Sequence, residues 1–368
     1  MKVQCTICRG SKVKTVVDYG LQPPANQFLP VDETAQYYPL SLGYCSECNT
    51  IQLSRPMPFK AIESPFPWIT YTEPEGHLDD VASILRYLPN ISPSSSVLGI
   101  TYKDQSTLDR LHALGIKKTT SLSKEEFSIF RSPSVQSKTK GVDLLIARHV
   151  VEHARDATAF MYELKSLLSE GGYLVLELPA CEKIFQKHHH PFIWEEHFTY
   201  FTEESLNTLI QQVKGKLVCL KRYPYPYEDS LIAVLRFSFS KGGNTRSHTP
   251  EPLLRQFSQS LQEEKRYWRG LLSSYPGPIA LFGGGHLGVK WVNFFELGDL
   301  IDCVIDDNPH KRGRYMPGSG LPIFPSPALE DRKIQVCVST LSSESEKKVK
   351  EKLSRYFHRG GIWIPAFH

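Results

Sequence analysis

No stretch of this 368-residue chain approaches the ~18 consecutive apolar residues of a membrane-spanning helix, so a membrane partner is not expected. Cysteine is scarce: 8 in the whole chain are too few for a disulfide-stapled scaffold. An excess of one charge is also missing. The 43 lysines and arginines nearly balance 39 aspartates and glutamates, and the residual +4 is scattered, which argues against a nucleic-acid partner. Residues 1–10 carry two cysteines and no apolar core. They do not read as a signal peptide, and a reducing, cytoplasmic setting is expected. No internal repeat or low-complexity tract is present. With 40% hydrophobic and 22% charged residues, the composition is globular rather than disordered or fibrous. At roughly 100–200 residues per domain, the length holds two or three domains.

What is present begins with the cysteines. Four form two close pairs, Cys5-Thr6-Ile7-Cys8 and Cys45-Ser46-Glu47-Cys48. Two intervening residues let both thiolates of a pair point at one ion from a tight turn. Two such turns supply the four sulfurs of a closed tetrahedral zinc site, which folds its segment rather than catalyses. Two other readings stay open, a redox dithiol and two unrelated pairs of packed thiols, although a reducing compartment favours metal. The 36 residues between Cys8 and Cys45 need substructure of their own, and strands are expected around 12–18 and 38–44. Cys181, Cys219, Cys303 and Cys337 are isolated.

Residues 56–71, rich in proline and aromatics, read as a connection. Helical apolar spacing follows at 79–88. Further on, the pattern predicts strands at 97–100, 143–147 and 173–178 and helices at 107–114 and 156–168. Gly171-Gly172 is expected to close the second of these helices, and Pro179 to stop the last strand. The polar segment 240–252 reads as a linker. A charged helix over 253–272 then leads into strands at 279–282, 301–305, 335–339 and 361–365, with a helix at 344–356. Alternation of this kind predicts an α/β fold with parallel sheets covered by helices. The expected architecture is a small zinc-binding domain (1–60) followed by two Rossmann-like doubly wound α/β domains (61–240 and 241–368).

The run 143–179, from Asp143-Leu144-Leu145-Ile146-Ala147-Arg148-His149 to Glu177-Leu178-Pro179, resembles the fourth strand, next helix and fifth strand of a class I S-adenosylmethionine-dependent methyltransferase. Trp194-Glu195-Glu196-His197-Phe198-Thr199-Tyr200-Phe201 resembles the Glu-His-x-x-Tyr-Phe signature of the sugar C-methyltransferase family. Gly20-Leu21-Gln22-Pro23-Pro24-Ala25-Asn26, Asp306-Asp307-Asn308-Pro309 and Arg314-Tyr315-Met316-Pro317-Gly318 resemble further motifs of that family. The resemblance implies a four-cysteine zinc domain, a methyltransferase domain and a Rossmann-like domain, in that order. It implies S-adenosylmethionine and zinc as cofactors. It also implies a small-molecule substrate, a nucleotide-linked keto-sugar or related keto metabolite. Glu196 and His197 would lie at the reacting carbon, with His153 and Tyr71 orienting the keto oxygen or relaying a proton.

Chemistry supports that choice of residue types. A ketone acidifies the neighbouring C–H, and methylation at that carbon then needs a base for the proton and a donor or cation for the enolate oxygen. Adjacent Glu and His are also common as a solvated pair. His149 and His153, at helical spacing, are equally explained by capping or packing. His188-His189-His190 reads as a polar loop, because three consecutive histidines cannot all face one ion.

The sequence departs from the family pattern at the donor site. Class I enzymes carry a glycine-rich turn after the first strand, where the backbone must approach the ligand closely. Here the turn reads Val97-Leu98-Gly99-Ile100-Thr101-Tyr102-Lys103-Asp104-Gln105-Ser106. The expected glycines fall on Thr101 and Gln105, Gly99 is displaced, and Asp104 survives. The acidic residue usual after the second strand is not obvious at 117–126, and Trp194 stands where tyrosine is more typical. This is a divergent branch, with donor contacts expected from Gly99, Thr101, Asp104, Ala147, Arg148 and His149.

Near the carboxy terminus, Gly283-Gly284-Gly285-His286-Leu287-Gly288 fits Gly-x-Gly-x-x-Gly after an apolar strand, and Asp306 follows 18 residues later. That spacing suits a dinucleotide, but a tight strand–helix turn or a role near the substrate is the favoured reading. Lys311, Arg312 and Arg314 either pair with a diphosphate or are merely solvated. Tyr223, Tyr225 and Tyr227 are expected at the cleft between domains or its rim. Three functions follow in order of preference: a C-methyltransferase, a non-methylating binding protein or proton-transfer enzyme, and a nicotinamide-dependent oxidoreductase.

Overall fold

The computed structural model describes residues 3–31, 33–69, 73–123, 127, 140–237 and 250–367. The front of the chain forms an antiparallel meander of β1 (Val13–Gln22), β2 (Tyr38–Cys45) and β3 (Ile51–Arg55). The two cysteine pairs lie at its end, Cys45 closing β2 itself.

The middle sheet uses β4 (Ser96–Gly99), β5 (Lys118–Ser121), β6 (Val142–Arg148) and β7 (Leu168–Ala180), all parallel. Next comes β8 (Thr199–Tyr200), which leaves this sheet and pairs with β3 of the front meander. Then β9 (Gly215–Tyr223) and β10 (Asp229–Phe237) complete an order of β5-β4-β6-β7-β10-β9, with β10 antiparallel to both neighbours. From Tyr173 to Ala180 every residue of β7 is buried, as a central strand covered on both faces must be. The Ala157–Leu167 helix covers one face through Phe160, Met161, Leu164 and Leu167, and Asp156 caps it by accepting from the Ala159 N–H at 2.7 Å.

Two expectations are corrected here. The helix ends at extended Leu168, so Gly171-Gly172 lies inside β7 rather than closing the helix. Pro179 does not stop β7. It stays in the ladder opposite Ser230, because its fixed φ suits a strand and only one donor is lost.

The third sheet is all parallel: β11 (Ile279–Phe282), β12 (Cys303–Ile305), β13 (Ile323–Phe324), β14 (Val336–Ser339) and β15 (Ile362–Pro365), in the order β13-β12-β11-β14-β15. The long Glu251–Ser273 helix precedes it and buries Leu254, Phe257, Leu261, Trp268 and Leu272. The single helix expected at 344–356 is two, Ser343–Lys352 and Ser354–His358, broken at Leu353. Most of the expected linker at 240–252 falls outside the described residues, which leave out 238–249. The α/β class and its three-part order are as expected. No described helix is long and apolar enough to cross a membrane.

The three sheets share cores. One apolar cluster runs from Leu40, Leu42 and Leu53 of the meander through Phe185 to Phe257, Trp291 and Val338. His190 sits in this seam, fully buried, with Nδ1 2.9 Å from the Tyr19 hydroxyl and Nε2 3.0 Å from Ser260 Oγ. The histidine run is thus not a polar loop: its last member joins the meander to the long helix. A buried ion pair ties the middle unit to the third. Glu195 and Lys290 are each 1% exposed at the side chain, and their charges meet at 2.7 Å. Burial works to raise the Glu195 carboxyl, but Lys290 and His286 hold it down at about 2.

Lys290→Met leaves a buried carboxylate without its cation and should cost about 3–5 kcal/mol in urea unfolding at neutral pH. The folded-state value of Glu195 lies below its unfolded value, so the pair stabilises above the unfolded value and fails as pH falls toward about 2. The gap between the wild type and the variant should therefore close on acidification.

Candidate active site and zinc centre

The two cysteine turns are near copies of each other. Arg9 N–H donates to Cys5 O and Asn49 N–H to Cys45 O, and Arg9 and Asn49 both adopt the left-handed backbone (φ 61° each). Cys5 Sγ lies 3.5 Å from Cys48 Sγ, and Cys8 Sγ lies 3.6 Å from Cys45 Sγ. All four sulfurs fall within 4.8 Å of one another. Sulfurs about 2.3 Å from a tetrahedral zinc stand about 3.8 Å apart, so the donor set fits that ion closely. The knuckle is anchored to the middle unit. Ala157 N–H donates to Thr6 O at 2.8 Å, and Thr158 Oγ1 donates to Ile7 O at 2.7 Å.

The β3–β8 pairing carries this rigidity to Glu195-Glu196-His197, which lie just before β8. Glu196 is 2% exposed, and its Oε1 accepts from Asn26 Nδ2 at 3.1 Å. His153 Nδ1 lies 2.9 Å from the Glu196 carbonyl, and the His153 and His197 rings meet edge to face at 4.8 Å. Burial drives both imidazoles down, His197 to about 4 and His153 further with help from His197, so both are neutral near pH 7. Trp194 stacks on His197 at 5.4 Å and on His286 at 3.9 Å. The structure thus brings Glu196, His197 and His153 together. Tyr71 falls outside the described residues.

Behind them lies a charge network that the sequence reading missed. Glu177, on β7, accepts from Arg148 Nε at 2.5 Å and Ser230 Oγ at 2.9 Å, and meets His149 Nε2 and His77 Nε2, each at 3.1 Å. Burial opposes the charge on Glu177, but His149, His77 and Arg148 hold its carboxyl well below the usual range. His149 has φ 50° and stands among Glu73, Glu152 and Glu177. Burial opposes its charge, but these carboxylates raise it to about 10. Lys103 pairs with Glu73 at 2.5 Å. No local motif marks this network, because its members come from five separated segments.

A cavity of about 470 Å³ opens at the carboxyl ends of β4 and β5. Ile100, Leu122 and Phe127 are among its apolar lining, Ser121, Ser123 and Gln105 among its polar lining, and His153 and Glu196 among its titratable groups. Its size suits a cofactor or small ligand. Of the expected donor contacts, Thr101 lines it. Gly99 does not: a Cβ there would meet Asp104 Cβ at 2.8 Å. Asp104 is wholly buried and stitches the turn to β6, accepting from Thr101 N–H at 2.7 Å and Arg148 N–H at 2.9 Å. Ala147 is buried within the sheet, and Arg148 turns its guanidinium toward Glu177 and the Lys103 carbonyl. The turn without the expected glycines is thus held by a Thr101–Asp104 capping box.

A second cavity, about 420 Å³, lies over the glycine turn after β11. Asn26 and Ile69 line both cavities, and Trp194 and His286 line the second. Gly288 serves packing, since a Cβ there would stand 2.1 Å from Gly283 O, whereas a Cβ on Gly285 would meet nothing within 4 Å. Asp306 is held by its own turn, Gly284 N–H and Lys311 Nζ donating to Oδ2 and Asn308 N–H to Oδ1. Lys311 is correspondingly buried rather than part of a solvated loop. Tyr225 bonds His77 Nδ1 at 2.8 Å, and Tyr227 reaches the Leu341 carbonyl at 3.4 Å, across the two units.

Three family models match the chain: a zinc binding domain over residues 5–62, a methyltransferase domain over 82–218 and a C-methyltransferase C-terminal domain over 245–367. No curated protein matches it in sequence. Among solved structures, the Burkholderia thailandensis 1,6-didemethyltoxoflavin-N1-methyltransferase, with S-adenosylhomocysteine bound, is 13% identical over 45% of this chain and 79% of its own, with a TM-score of 0.33. The Bacillus subtilis YcgJ protein is 8% identical over 46% of this chain and 100% of its own, at 0.33. The methyltransferase CalH, also with S-adenosylhomocysteine, is 11% identical over 44% and 58%, at 0.34.

Cobalt bound by the four cysteines should give intense thiolate-to-metal absorption. Cys48→Ser should abolish the four-thiolate spectrum and make residues 5–62 protease-sensitive, as limited digestion would show.

Proposed function

Since the chain belongs to the C-methyltransferase family of S-adenosylmethionine-dependent methyltransferases that carry a zinc-binding module in front, we propose that it methylates a carbon beside a ketone in a small metabolite, a nucleotide-linked keto-sugar being the favoured class. The observation that carries this reading is Glu196, buried at the wall of the 470 Å³ cavity that His153 also lines. A division into domains 1–60, 61–240 and 241–368 is part of the proposal.

The donor belongs in that cavity, with its base toward Ile100, Leu122 and Phe127. Thr101 supplies direct contact, while Gly99, Asp104, Ala147, Arg148 and His149 shape the wall from behind. Bound there, S-adenosylmethionine supplies an electrophilic methyl group. Glu196 takes the proton from the carbon next to the ketone, held in place by Asn26 and by its neighbour's ion pair with Lys290. His153, with His197 packed against it, orients the keto group, and Tyr71 is proposed to join them. The second cavity adjoins the first at Asn26 and Ile69 and suits the remote part of a larger substrate. The engagement of Asp306 by Lys311 and by its own turn weighs against a ribose contact there, and so against the oxidoreductase reading.

Calorimetric titration with S-adenosylmethionine should give saturable heat, and its absence would leave only the non-methylating reading. Glu196→Gln keeps an acceptor for Asn26 and removes the base. Turnover should fall roughly 10²–10⁴-fold with donor affinity unchanged. Undiminished turnover in that variant would remove Glu196 from the role.

A further inference from the structure

Glu152 has no exposed surface, yet among the described residues neither carboxylate oxygen has a hydrogen-bond partner. Its nearest cationic neighbour is His149, whose Nδ1 is 3.5 Å from Oε1 and is shared with Glu73. Glu73 and Glu177 have partners of their own in Lys103 and Arg148, at 2.5 Å each, so Glu152 is the least neutralised carboxylate of the group. A buried carboxylate without hydrogen bonds is costly, and such a group commonly marks a ligand.

What faces it is the imidazole pair. One donor atom each from Glu152, His153 and His197 lies within 4.8 Å of the other two. The contact of His153 Nδ1 with the Glu196 carbonyl fixes the proton on that nitrogen, leaving the Nε2 lone pair free. A backbone carbonyl in this position is the usual outer support of a metal-binding histidine. For His197 only ring contacts are found among the described residues, with Trp194, His153 and Tyr200. Two imidazoles and one carboxylate with an open side form the donor set of a divalent transition-metal site. Donors around such an ion stand about 3.4 Å apart, so the cluster would close by roughly an ångström on loading.

We infer that Glu152, His153 and His197 bind a divalent transition-metal ion at the reacting end of the donor cavity, separate from the four-cysteine zinc. Its role, though not its binding, rests on the enolate reading. The C–H electron pair moves into the carbonyl as Glu196 takes the proton, and the ion neutralises the oxygen that gains the charge. The new C–C bond then forms as the C–S bond breaks, its pair leaving on sulfur as a neutral thioether. No oxidant or reductant is needed.

The test counts metal in the full-length chain, without donor or substrate. After saturation with zinc and removal of the excess, elemental analysis should find two zinc ions per chain. Glu152→Gln and His197→Asn should each hold one. Retention of that one, with an unchanged circular dichroism spectrum, shows that the four-cysteine module and the fold survive. In the wild type, a second equivalent of cobalt should add d–d absorption with no added thiolate charge transfer, and neither variant should show it. One zinc in the wild type overturns the inference, and so does a second zinc that survives both substitutions. A second zinc lost as expected in a protein that gives no heat with S-adenosylmethionine upholds the site and sinks only the enolate reading.

Discussion

The buried pair of Glu195 and Lys290 is the contact on which the arrangement of the site depends. Two charges removed from water persist only if each satisfies the other, so the pair tolerates little displacement. It lies one residue from Glu196 and on the helix that follows the third unit's glycine turn. It therefore ties the segment that carries Glu196 to the third unit's helix. The Glu195–Tyr200 segment is also held from the front by β3 and from above by Asn26. Three units converge on one short stretch of chain, and none alone would place it.

Polar burial is unusually dense around that segment. Glu177 is affordable in the core because Arg148, His149, His77 and Ser230 surround its two oxygens. The same network holds His149 in a left-handed backbone and keeps Lys103 and Glu73 paired at the cavity's edge. Rigidity of this kind suits chemistry that depends on aim, since a base must meet a carbon acid at a defined distance.

The two turns after β4 and β11 solve one geometric problem differently. After β11, glycines let strand and helix approach until Gly288 nearly touches the Gly283 carbonyl. After β4, Thr101 and Asp104 take over with a capping box, and Gly99 makes room for the Asp104 side chain. Loss of glycines there reshapes the wall but leaves a cavity.

Much was legible in the sequence itself. Periodicity of apolar residues set the strands and helices, because burial on one face or two imposes spacing. Cysteine spacing set the metal knuckles, because two residues are what a tight turn allows between ligands. The Glu196–His197 pair was found through a motif. Other features had no local signal. Asp104 looked like a ligand and is a clamp, His190 looked like surface and is a seam, and Lys311 looked free and is bound. Glu152 and Glu177 lay within a recognised run but carried no sign of their roles. Their meaning lies in partners scattered along the chain, and only tertiary packing decides which charges are left without water. The sequence determined the modules and their chemistry of parts; the folded structure decided which groups face one another, because desolvation and pairing act through space.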